Sequence, residues 1–133
     1  MIHKQFLAHL QSAGLTAPAV SAFTTEPVEN YQDDFPVVMT YPLEDTLSPN
    51  EYDNLVIQPR ETEQVCMIGC DLDELETHLK QLRDAAIGWV PPSVDGEEWD
   101  AMEGSGGSLI GLNGKYIWWR ETFSARTQYR QTT

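Results

Sequence analysis

The feature that most restricts the fold of this chain is a strand-like run that passes directly into an amphipathic helix. In Gln64-Val65-Cys66-Met67-Ile68-Gly69-Cys70 both alternating faces are apolar, which predicts a central strand covered on two sides. From Asp71 the period changes. Leu72, Leu75, Leu79, Leu82 and Ala86 follow a 3-4-3-4 spacing, the stripe of a helix with one buried face. Asp71 and Glu74 form an approximate capping box, and Asp73, Glu74 and Glu76 place acids at the positive end of the helix dipole. Lys80 and Arg83 come late, Glu76 and Lys80 stand four apart, and Gly88 closes the helix before Pro91-Pro92. The stripe lasts barely two heptads, so it predicts packing on a sheet rather than a zipper.

Other elements build on that unit. Ile2, Phe6, Leu10 and Ala13 recur at helical spacing and predict a first helix over 2–13, ended by Gly14. The stretch 15–34 reads as connection, with a short strand near Val20 to Phe23. The run 35–42, β-branched and aromatic with prolines near both ends, predicts a strand at or near a sheet edge, followed by a turn containing Ser48-Pro49-Asn50. Segments 54–58 and 63–69 read as a hairpin about Pro59-Arg60-Glu61-Thr62. Residues 93–104 read as an acidic loop with one helical turn around Glu97 to Met102, and Gly104-Ser105-Gly106-Gly107-Ser108 as a flexible loop beside a hairpin. In that hairpin, Asn113-Gly114 joins 108–112 to 115–123. The expected fold is α+β: a mixed or antiparallel sheet of about four to five strands, two main helices packed on it, and a C-terminal β-hairpin.

With 133 residues the chain supports one hydrophobic core, so a single domain over 1–133 is expected. Apolar residues at 41% and charged residues at 22% describe a globular chain despite a formal net charge of −13. That charge is uneven. Residues 1–114 hold 20 acidic and 4 basic side chains, whereas 115–133 hold Glu121 against Lys115, Arg120, Arg126 and Arg130. An acidic body does not read nucleic-acid grooves, which requires clustered cations. It serves solubility, or it faces DNA without holding it, or it meets the basic end of a neighbouring copy. Neither a signal-peptide core nor a membrane-spanning run is present in the sequence, so an intracellular setting is expected.

No catalytic constellation is legible. Cys66 and Cys70 on one strand face stand about 13 Å apart at about 3.3 Å per residue, too far to bridge, and His3, His9 and His78 supply no metal-ligand spacing. The glycine run lacks the Gly-Lys-Ser/Thr ending and following helix of a phosphate loop. The reading is therefore a non-enzyme with no cofactor and no metal. The candidate contact residues are Trp99, weighed equally between core and interface, and Trp118 with Arg120, weighed between cation–π packing and a contact face. Arg126 and Arg130 complete the set through the basic terminus.

In element order, and in Gly88-Trp89-Val90-Pro91 and the aromatic hairpin ending Trp118-Trp119-Arg120-Glu121-Thr122-Phe123, the chain resembles the tail terminator proteins of Mu-like prophages and other long-tailed phages, related in fold to the minor tail protein U group. The resemblance implies a homo-oligomeric ring, generally hexameric, that caps the tail tube and presents the docking surface for the head. It implies a tail-tube protein and a head-completion protein as partners, double-stranded DNA passing through without specific binding, and no membrane. It also implies assembly in the host cytoplasm and a place in the virion tail. The competing readings are another neck protein, such as a tail-completion or connector subunit, and an acidic inhibitor that mimics DNA.

Overall fold

The apolar run 64–70 forms the heart of β3 (Ile57–Asp71), the third strand of a five-stranded sheet. The computed structural model describes residues 2–22, 35–50, 57–93 and 97–130. The remaining strands are β1 (Ala19–Ser21), β2 (Val37–Leu47), β4 (Glu103–Asn113) and β5 (Tyr116–Arg130), in the spatial order β1-β2-β3-β5-β4. β1 runs parallel to β2, and every other neighbour is antiparallel. The helices α1 (His3–Ser12) and α2 (Leu75–Ala86) both pack on one face, which makes the architecture α+β with a mixed sheet.

Alternation along the strands decides what each face meets. On the helix face, Phe6 and Leu10 of α1 and Leu82 and Ala86 of α2 close over Val38, Cys66, Ile68, Ile117, Phe123 and Ala125. Burying each large apolar side chain there contributes about 1.5–3 kcal/mol. On the opposite face a smaller cluster joins Val37, Met39 and Trp118 to Phe35 and Met67. Gly69 makes room for it: a Cβ at that position would lie 2.5 Å from the Phe35 ring and 2.9 Å from Trp118.

β3 is one continuous strand where the sequence suggested a hairpin about Pro59, although 54–56 of the expected first arm fall outside the described residues. In an antiparallel strand the N–H and C=O of one residue point to the same side. The Pro59 carbonyl accepts from the Ser48 N–H at 2.9 Å, just past the last paired rung with β2. The donor that proline lacks is therefore missing only where that ladder has already ended. β2 likewise runs past Pro42. A register shift between Pro42 and Glu44 leaves Leu43 without a partner and pushes its side chain outward, 52% exposed.

Four other local readings change. One 3₁₀ turn, Leu72–Glu74, precedes α2, with the Asp71 carboxylate accepting from the Asp73 N–H at 3.1 Å, so Leu72 leaves the stripe and is exposed. Lys80 has acids on both flanks and pairs with Asp84 at 2.8 Å rather than with Glu76. The segment from Glu97 to Met102 is irregular instead of helical, with a single bridge residue at Glu97. It is pinned by bonds from Gly88 N–H to the Met102 carbonyl, Met102 N–H to Trp89, and Asp100 N–H to Arg126, at 2.8, 2.7 and 2.9 Å. The aromatic hairpin forms with its loop one residue later than expected. Asn113 pairs with Tyr116, and Gly114-Lys115 make the turn with Gly114 at φ 62°, a left-handed conformation that glycine adopts without strain.

Candidate subunit interface

The glycine run that reads as a loop is the first half of β4, the edge strand. Its glycines let the backbone lie directly over a buried charge. A Cβ on Gly107 would collide with the Arg120 carbonyl oxygen and Glu121 Oε1 and would stand 2.5 Å from Trp119 Nε1. Glu121 is fully buried on the helix face. Its carboxylate accepts from Arg83 Nε at 2.6 Å and Nη2 at 3.0 Å, and from the Trp119 indole N–H at 3.0 Å. The pair anchors α2 to β5, while the Arg83 side chain remains 40% exposed to water.

Further along, β4 presents apolar surface to solvent. Leu109, Ile110 and Leu112 are 50%, 48% and 60% exposed, and no charged residue lies between Glu103 and Lys115. Among the described residues, the outer edge of β4 has no strand partner. The other side of the sheet differs. β1 covers β2 only at Val38, Met39 and Thr40, so among the described residues 41–47 form a second open rim. That rim carries Glu44 and Asp45, with Leu43 and Leu47 about half exposed.

The five residues singled out from the sequence separate. Trp99 is buried in the helix-face core, with the Arg60 guanidinium 5.5 Å from its ring centroid. Arg60 in turn grips Asp45 through two bonds of 2.9 and 3.0 Å and reaches Glu97 at 3.3 Å. Trp118 does not form exposed aromatic area: Phe35 meets it edge-on at 4.9 Å and leaves it 9% exposed. Arg120 is exposed on the face away from the helices and is in no ion pair among the described residues. Arg126 pairs across the strands with Glu61 at 3.1 Å, and the Arg130 side chain lies outside the described residues. The basic end of the sequence is thus no free tail, because through Arg130 it is β5, next to the central strand.

Other polar clusters serve the fold. His3 stands 3.4 Å from Ser21 Oγ and 3.3 Å from Gln64 Oε1, an order of hydroxyl, imidazole and amide also found at nucleophile sites. Here the imidazole is buried and bridges α1 to β1 and β3. Burial pushes the Cys66 thiol up to about 12 and the Cys70 thiol up to about 11, so both stay protonated and unreactive at neutral pH. Among the described residues no group of three or more His, Cys, Asp or Glu side chains is placed to hold a metal ion. A groove of about 530 Å³ between Pro59, Glu97, Glu98, Asp100 and Arg126 is polar and open to solvent.

The burial of Glu121 was readable in principle, since it shares strand parity with Ile117, Trp119 and Phe123. Its partner Arg83, 38 residues away, was not. No family model matches the chain, and no curated protein matches it.

Proposed function

We propose that this chain is a ring-forming structural subunit of a phage-type tail, a tail terminator that caps the tail tube and joins it to the head. The observation that supports this reading is the pair of unlike open rims on one sheet. Among the described residues, one is a strand that is uncharged from Gly104 to Asn113 and aliphatic in its second half, and the other is a shorter rim that carries acids. A closed ring is built from heterologous contacts, in which one patch of a copy meets a different patch of the next. The acidic body fits the same role, because a negatively charged lumen lets DNA pass without arrest.

The test is the oligomeric state of the purified chain, alone and with tail-tube protein, by native mass spectrometry and sedimentation. A closed oligomer, expected as a hexamer, that binds the end of the tube supports the reading. A chain that stays monomeric at every concentration and ignores the tube overturns it.

A further inference from the structure

Resting on the ring reading, we propose that β4 of one copy pairs antiparallel with residues 41–47 on the β2 rim of the next copy, with Arg120 reaching across to Glu44 of that copy. Strand direction supports the pairing. β4 runs opposite to β5, β5 opposite to β3, and β3 opposite to β2, so β4 and β2 are antiparallel within one chain. Adding copies side by side with the same face kept outward sets each β4 against the next β2 in that same antiparallel sense. The sheet then continues from copy to copy, and main-chain hydrogen bonds supply affinity as in strand addition elsewhere.

Charge selects this edge. The β2 rim carries Glu44 and Asp45, and a chain of net charge −13 offers few surfaces that such a rim can approach without repulsion. β4 has no acid between Glu103 and Asn113. On the face away from the helices its middle residues, Gly106, Ser108 and Gly111, are small, Glu103 lies at its far end, and Ser108 lies directly beside Arg120. Glu44 shares that face, because it pairs with Glu63, which pairs with Ser124 of the same strand parity as Arg120. From β5 across β4 to the next copy is two strand spacings, about 10 Å. An extended arginine and glutamate span that distance together over the Ser108 hydroxymethyl. With Ser108 opposite Glu44, antiparallel counting places Leu109 opposite Leu43 and Gly107 opposite Asp45. The bulge that ejects Leu43 therefore supplies the apolar partner for the exposed aliphatics of β4.

Two measurements on the full chain test the contact. The charge reversals Arg120→Glu and Glu44→Arg should each raise the concentration at which rings form by about tenfold or more, since the loss repeats at every contact of the ring, and the double reversal should restore assembly. The double variant Leu109→Cys/Leu43→Cys should give, on mild oxidation, a ladder of covalent oligomers, while neither single variant does. The native thiols are buried and stay out of the reaction. Either the rescue or the ladder establishes the contact. If neither appears while the wild-type chain still forms rings, this inference falls and the ring reading stands. A covalent dimer from Leu109→Cys alone means that β4 pairs with itself and overturns the head-to-tail contact. A wild-type chain that remains monomeric overturns both.

Discussion

At the scale of single residues, Glu121 and Gly107 constrain each other. A carboxylate with no exposure is tolerable only while its oxygens are met, and here the Arg83 fork and the Trp119 indole N–H meet them. Breaking a buried pair from one side leaves a desolvated charge, so the arrangement is fixed once formed. β4 then has to cross directly above it, and only a residue without a Cβ clears the Arg120 carbonyl and the Glu121 oxygen. Gly107→Ala is expected to destabilise the fold by about 3 kcal/mol, read from denaturant unfolding, through the displaced backbone and the disturbed carboxylate. The same substitution at Gly111, where added bulk meets nothing within 4 Å, should cost under about 1 kcal/mol and serves as the control.

Among the elements, β3 bears most directly on the rest, because it is central and both its cysteines lie on its helix face. Burial raises both thiols, so the folded state holds their protons more tightly than the unfolded chain does, whose thiols titrate near about 8.5. The stability linked to them is complete below that unfolded value. It is lost as pH rises through it toward about 11 for Cys70 and about 12 for Cys66. A native sample at pH 8 should therefore leave both thiols unlabelled by a disulfide reagent, and urea should release both together. A Cys66→Ala/Cys70→Ala variant should show a shallower loss of stability above pH 8.5 than the wild type. Labelling of one thiol in native buffer would show that one end of β3 opens independently of the rest of the sheet.

The elements also show what the sequence could convey. Both helices, the central strand and the aromatic hairpin were legible because each rests on a local rule: a 3.6-residue or 2-residue period, a cap, or a turn glycine. The errors occur where the reason for a residue lies on another strand. Pro59 looks like a turn until β2 is seen to end beside it, and the run of glycines looks like a loop until Glu121 is seen beneath Gly107. The parity of Trp118 placed it on the face away from the helices, but the cover that buries it comes from Phe35, 83 positions earlier and paired to it by tertiary contact alone. The candidate interface was the least legible part. An edge strand is defined by the neighbours it lacks, and no local pattern records that.

For the whole molecule, charge and the two open rims act against each other. Copies carrying −13 each repel, and the contact proposed for them is mostly uncharged, with one ion pair per junction. Raising the ionic strength from about 10 to about 150 mM shortens the screening length from about 30 to about 8 Å. The concentration needed for ring formation should therefore fall over that range, as followed by sedimentation. A rise would mean that attraction between charged surfaces dominates the junction. Arg126 does not enter this balance as a free cation, because Glu61 of the same chain already holds it.

In the proposed ring, the two rims also decide which assemblies accumulate. A head-to-tail row of any length ends in one bare β4 and one bare β2 rim, so a dimer and a pentamer leave the same unsatisfied ends as a single subunit. Only closure removes both at once. Mixtures of free subunits and complete rings should therefore dominate over partial arcs, and the exposed leucines that tempt an isolated copy toward aggregation disappear from the finished object.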